Sequence, residues 1–405
     1  MLAPLCCLAA VARVQTGAEV MERNGFASLE GHRVGLVTNH TAVVGNQHLI
    51  DALFDNPKIK LVALFGPEHG LRGEADAGAK VGDSTDARTG VPVYSLYGSN
   101  RQPTPKQLEG CDILVYDIQD IGARFYTYIS TLGLCMQSAA KAHIPFLILD
   151  RPNPLGGQQV SGYVREDKYE SFVGQYPVPI QYGLTAGELA QMIQGEKWVP
   201  GVEALDLRVE KASGWRRGEL FSRTGLSWVA PSPNIPDFET ALVYPGSCLF
   251  ESVYASEGRG TDKPFLTLGA PYLDSAEAAK RLNGAHLPGV VVSAMPFTPR
   301  SIKGMSESPR FQDRPLHGIQ ISVTDPAAVR PVELGIHLVA EFFRQTKGLD
   351  RVRFFNSSWM AKLAGTSRLE ADLSVGKSPE HIIASWQFEV EQFKQLREPY
   401  LLYKP

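Results

Sequence analysis

The chain has 405 residues, with 43 acidic against 40 basic side chains and a formal charge of −3. That near-balance, without blocks of like charge, excludes a global field that would recruit nucleic acid or an anionic membrane. Glycine (38) and proline (28) are plentiful without any low-complexity tract, which reads as many loops on a scaffold of two or three domains.

Residues 1–12 are apolar and include Ala10-Val11-Ala12, a small-residue pattern like a cleavage site, but lack the basic stretch that opens a secretory signal. The segment is read as a truncated signal peptide. A secreted or periplasmic location is expected, with a cytoplasmic one as the alternative. Cys6 and Cys7 do not follow a lipobox-like pattern. Cys111, Cys135 and Cys248 are isolated, and read as small core residues rather than a disulfide framework or zinc site. No later run approaches the ~20 apolar residues of a membrane span.

Arg33-Val34-Gly35-Leu36-Val37-Thr38 is a short apolar strand, followed by Asn39-His40. His48 to Phe54 has helical spacing. Residues 60–65 form a strand that stops at Gly66-Pro67 and delivers Glu68-His69 to a long glycine-rich loop. Residues 91–96 form another strand, and Thr104-Pro105 reads as a helix start. Residues 111–117 and 144–150 are near-continuous apolar strands, with a helix expected from about Phe125 to Ala142 between them. Thr185-Ala186-Gly187-Glu188 is a capping box opening a helix that stops near Gly195. Past residue 200 the pattern loosens: Pro231-Ser232-Pro233-Asn234 and Ser256-Glu257-Gly258-Arg259-Gly260-Thr261 are loops. Then follow a half-buried strand at 317–323, a helix from Pro331 to Phe343, and a last helix begun by Ser378-Pro379 that carries Ile382, Trp386, Val390 and Phe393.

Apolar strands alternating with helices predict an α/β fold: a parallel sheet in a catalytic domain at 13–255 and a smaller α+β domain at 256–405. In such sheets ligands bind outside the carboxyl ends of the strands. Here those ends carry Asn39-His40, Glu68-His69, Asp117 with Gln119 and Asp120, and Asp150-Arg151 with Asn153. No G-x-G-x-x-G follows the first strand and there is no P-loop, so a nucleotide is not expected. The scattered histidines lack metal-ligand spacing, and no G-x-S-x-G elbow is present; neither a metal nor another cofactor is expected. Carboxylate chemistry remains. Glu68, Asp117, Asp120, Asp150 and Glu257 suffice for a general acid and its partner, as glycoside hydrolysis requires. Blander roles stay open: closing strand ends for Asp117 and Asp150, pairing with Asp120 four residues earlier for Arg124, and a place in the core for Tyr126 and Tyr128.

The stretches Ala63-Leu64-Phe65-Gly66-Pro67-Glu68-His69-Gly70, Asp117-Ile118-Gln119-Asp120-Ile121-Gly122-Ala123-Arg124-Phe125-Tyr126-Thr127-Tyr128, Leu149-Asp150-Arg151-Pro152-Asn153-Pro154, and the two later loops resemble the NamZ-type exo-β-N-acetylmuramidase family. The resemblance runs from about Val14 to the C-terminus. It implies a Rossmann-like domain without a nucleotide, an auxiliary domain closing a cleft, and release of N-acetylmuramic acid from the non-reducing end of peptidoglycan fragments. It also implies Glu68 as catalytic acid; for its partner the order of preference is Asp120, Asp117, then Glu257. Arg124, Arg151 and Arg259 are candidates for the muramic lactyl carboxylate. Asn39, His69, Gln119, Tyr126, Tyr128, Asn153, Asn234 and Thr261 are further candidate substrate contacts. The competing class is a non-catalytic cell-wall binding protein. Retention, inversion and attack by the substrate's own acetamido group all stay open.

Overall fold

The structure, a computed structural model, describes residues 13–67, 71, 84–98 and 100–405. Its first part contains strands β1 (Arg33–Thr38), β2 (Val43–Val44), β3 (Gln47–His48), β4 (Lys60–Gly66), β5 (Ser84–Thr85), β6 (Pro92–Ser95), β7 (Ile113–Asp117), β8 (Phe146–Leu149) and β9 (Leu207–Glu210). With them come helices α1 (Gly17–Arg23), α2 (Leu49–Phe54), α3 (Tyr128–Lys141) and α4 (Ala186–Gly195). Seven strands form one sheet in the order β5-β6-β4-β1-β7-β8-β9, in which only the edge strand β5 runs antiparallel. The parallel strands are thus ordered as in doubly wound sheets, and the order reverses between β1 and β7.

Strand side chains alternate between two cores. Leu36, Leu64, Ile113, Val115, Leu147 and Leu149 face α1 and α2, while Val37, Phe65, Leu114, Tyr116, Phe146 and Ile148 face α3 and α4. Both faces are covered, which is why these strands read as continuous apolar runs. The expected α/β class with a mostly parallel sheet is what the structure contains.

The C-terminal part holds helices α5 (Phe238–Ser247), α6 (Ser275–Gly284), α7 (Pro331–Gln345), α8 (Gly348–Val352), α9 (Ser357–Ala364), α10 (Arg368–Ser374), α11 (Pro379–Ser385) and α12 (Gln387–Arg397). With them is an antiparallel sheet of β10 (Thr267–Ala270), β12 (His317–Val323) and β11 (Val290–Ala294), on which α6 packs. Gly246 of α5 and Gly335 of α7 bring these two helices into backbone contact. No described helix is long and apolar enough to cross a membrane.

Three expectations need adjustment. The helix after β7 begins at Tyr128 rather than Phe125, because residues 125–127 turn along the sheet edge. Thr104 and Gln107 do exchange cap hydrogen bonds, but they close only a 3-10 turn, Lys106–Leu108, before Gly110 takes a positive φ of 86°. The last helix is two, broken at Trp386, whose side chain is buried.

Candidate active site

Strands β4, β1, β7 and β8 are adjacent and parallel, so their carboxyl ends lie side by side. Glu68 and His69, which follow β4, lie outside the described residues. At the neighbouring tips most polar side chains are already engaged. Asn39 accepts from the Thr41 amide (3.0 Å) and hydroxyl (2.6 Å). The His40 ring bonds to the Ala230 carbonyl (2.6 Å). Asp117 receives both arms of Arg151, Nη2 at 3.0 Å and Nε at the other oxygen, a buried bidentate pair. Gln119 donates to the Asp120 and Pro152 carbonyls. Beside Thr41, Gln119 and Arg151, where the strand order reverses, the cavity measures only about 110 Å³.

Two residues of the next loop are structural by geometry. Asn153 closes a turn through the Leu155 amide (3.0 Å) and donates to the Leu184 carbonyl (2.8 Å). Asp150 accepts from Thr185 (2.7 Å), the Gly187 amide (2.8 Å) and Tyr403 (2.6 Å). It joins the start of α4 to the chain's last residues. Burial pushes its carboxyl up to about 6 against these donors.

Asp120 differs. It is buried, one oxygen accepts from Tyr182 and the Gly122 amide (2.7 Å), and its Oδ1 has no partner among the described residues. Burial raises its carboxyl to about 6, opposed by the Tyr182 hydrogen bond. Such a group changes charge close to neutral pH, where acid–base chemistry needs it.

Arg124 does not pair with Asp120. It is fully buried and donates to the carbonyls of Tyr163 (2.7 Å), Val178 (2.7 Å) and Leu363 (2.8 Å), tying α9 to the first part. Burial pulls its guanidinium down to about 9, with Arg165 adding to the effect. This geometry leaves no fork for a ligand carboxylate.

The cavity itself, about 760 Å³, lies between the sheet's carboxyl edge and the C-terminal part. Tyr97 and Gly98 after β6, and residues 125–128 after β7, form one side; Ser232, Asn234 and Ile235 line it from the proline-rich loop. Glu251, Arg259, Phe265, Trp359 and Lys362 come from the C-terminal part. Tyr126 sets its ring edge-on to Tyr128 (4.9 Å) and Tyr244 (5.9 Å). The Tyr128 hydroxyl donates to the Pro231 carbonyl (2.7 Å), and Asn234 donates to the Met305 carbonyl (2.7 Å) while its Oδ1 stays unpartnered among the described residues.

Arg259 sits between two carboxylates, Glu251 at 2.8 Å and Glu257 at 3.2 Å, with its guanidinium 4.9 Å from the Phe265 ring centre. The two anions raise its pKa although burial works against them. Thr261 closes the loop by donating to the Gly258 carbonyl (2.6 Å). The structure therefore brings Tyr126, Tyr128, Asn234 and Arg259 to one cavity, and leaves Asp117, Arg124, Arg151 and Asn153 in internal bonds. Sequence reasoning missed Glu251, a lining carboxylate carried on a 3-10 helix, Cys248–Ser252, with no periodic signal. Arg101, in an irregular segment, and Lys362, on helix α9, were missed as well. Among the described residues no group of three or more His, Cys, Asp or Glu side chains could hold a metal ion.

Aromatic walls, hydrogen-bonding groups and arginine-held carboxylates at the edge of a parallel sheet, closed by a second part, define a two-part α/β protein with an aromatic and polar cavity between its parts. The chain belongs to the NamZ family of exo-β-N-acetylmuramidases. Residues 34–239 match the family description "Exo-beta-N-acetylmuramidase NamZ, N-terminal", and residues 242–403 match its C-terminal counterpart. The chain is 43% identical over 392 residues to the peptidoglycan β-N-acetylmuramidase NamZ of Bacillus subtilis, covering 96% of this chain and 92% of that one. Crystal structures of two DUF1343 family proteins from Bacteroides fragilis superpose with TM-scores of 0.85 and 0.81 at 38% and 34% identity; each comparison covers 97% of this chain and 99% of the other.

Proposed function

We propose that the protein is a glycoside hydrolase that releases N-acetylmuramic acid from the non-reducing end of peptidoglycan fragments. The observation that carries this reading is that similarity to a peptidoglycan β-N-acetylmuramidase spans both parts, whose junction forms the aromatic-walled cavity.

In this reading Glu68, two residues past the end of β4, is the general acid that protonates the leaving oxygen. Asp120 is its partner: it alone among the candidate carboxylates on the described strand tips keeps an oxygen free while titrating near neutrality. Ionised, it would stabilise the oxocarbenium-like transition state or orient the 2-acetamido group for attack on its own anomeric carbon. Glu251 is the second reading for the partner, favoured by its place on the cavity wall. Glu257 and Arg259 would then set the charge around it. We place the division between catalytic and auxiliary parts near residue 255, and the packing of α5 on α7 supports extending the auxiliary part back to α5. Action outside the cytoplasm is proposed from the apolar residues 1–12.

Incubation with the disaccharide MurNAc-GlcNAc tests the reading. An exo-muramidase yields the two free monosaccharides, whereas a cell-wall binding protein retains the disaccharide intact.

A further inference from the structure

The cavity does not end at its aromatic wall. Gly98, Arg101, Ser171 and Phe172 line it and also line a second, polar groove of about 700 Å³. At this junction the Arg101 guanidinium lies 4.3 Å from the Phe172 ring centre, and no carboxylate partners it among the described residues. Arg259, by contrast, is already neutralised by two glutamates. Two more polar atoms nearby are buried without partners among the described residues: Ser171 Oγ at the junction and Gln102 Oε1 in the groove. A ring-supported arginine without a carboxylate partner among the described residues, sharing a cavity wall with a hydroxyl donor, is a site for an anion.

We infer that Arg101, with the Ser171 hydroxyl, binds the carboxylate carried on the 3-O-lactyl branch of the muramic sugar, and that the adjoining groove receives whatever extends that branch. The inference rests on the muramidase reading above. The carboxylate has two sources: the lactate itself in peptide-free sugar, or an amino acid of a peptide amide-linked to it. Arginine is suited to either, because its planar fork meets both carboxylate oxygens at once.

The test compares Arg101→Gln with the wild type on three substrates: MurNAc-GlcNAc, its neutral lactyl amide, and the disaccharide bearing a stem peptide. The expected result is a KM raised roughly tenfold to a hundredfold on MurNAc-GlcNAc, with kcat little changed, and no change on the lactyl amide. An equal penalty on the peptide-bearing substrate places the peptide's carboxylate at Arg101; a penalty confined to the peptide-free sugar places the lactate there. Unchanged KM on both charged substrates overturns the inference, as does an equal loss on the neutral amide. Lys362→Met is the control, since Lys362 lines the same cavity without a carboxylate partner among the described residues. If that variant alone loses affinity for charged substrates, the assignment to Arg101 is wrong. A wild type that releases no muramic acid would instead defeat the muramidase reading.

Discussion

Tyr182 donates its hydroxyl to Oδ2 of Asp120, leaving Oδ1 the one carboxylate oxygen there without a partner among the described residues. Burial lifts the Asp120 carboxyl to about 6, and the Tyr182, Gly122 and Ile121 donors pull it back. Among the described residues Tyr116 also feels the Asp120 charge, and burial raises that phenol well above its usual range. If ionised Asp120 serves the reaction, kcat/KM climbs as pH passes through about 6. Tyr182→Phe removes a bond that favours the charged form, so this acid limb moves to higher pH. An unshifted limb in that variant would detach Asp120 from the rate.

Glu68→Gln keeps the size of the side chain and removes its proton. Release of the natural disaccharide's leaving group should fall roughly 10²–10⁴-fold, and less with an activated aryl group that needs no protonation. Equal loss on both substrates would point to a role other than proton donation.

Glu251 and Asp120 compete for the partner role, and exogenous azide separates them. The small variants Glu251→Ala and Asp120→Ala each leave room for an anion. Only loss of a group acting directly at the anomeric carbon should let azide restore turnover and yield a glycosyl azide. Rescue of Glu251→Ala but not Asp120→Ala would transfer the role to the cavity wall.

The central sheet was legible because its strands are buried on both faces and so read as uninterrupted apolar runs, and because the Thr185–Glu188 capping box marks a helix start locally. The parallel order made the strand tips adjacent, which let Asn39, Asp117 and Asp150 be grouped from sequence. What side chains do at those tips was not legible. Arg124 and Arg259 look alike in sequence, yet one holds three carbonyls inside the protein and the other lies between two glutamates on the cavity wall. The partners of Arg124 come from positions as distant as Leu363, and no spacing rule reports such contacts. Edge strand β9, half-buried, gave no apolar run to read.

Arg124 should be essential for stability, not for substrate affinity. Arg124→Met strands the carbonyls of Tyr163, Val178 and Leu363 in a buried setting, each costing about 1–3 kcal/mol if unmet. Urea unfolding should show a loss of at least about 3 kcal/mol. Residual folded enzyme should keep a KM near the wild-type value. A raised KM with unchanged stability would return Arg124 to the binding site.

The last residues hold the first part through Tyr403, which donates to Asp150, while the Leu402 amide donates to Glu188 (2.8 Å) and the Arg217 amide donates to the Lys404 carbonyl (2.9 Å). Asp150 titrates at about 6 in the folded protein, mainly through burial, against 3.8 ordinarily. The folded state therefore binds more protons than the unfolded one between these values, so this carboxyl's contribution to stability falls as pH rises from about 4 through 6. Tyr403→Phe deletes a donor to the ionised form and raises the folded pKa further. Its cost should be about 1–3 kcal/mol at pH 7 and distinctly smaller at pH 4.5, read from urea unfolding at the two pH values. An equal cost at both would mean that Tyr403 acts by packing against Trp215, whose ring centre lies 4.9 Å away, rather than through the charge on Asp150.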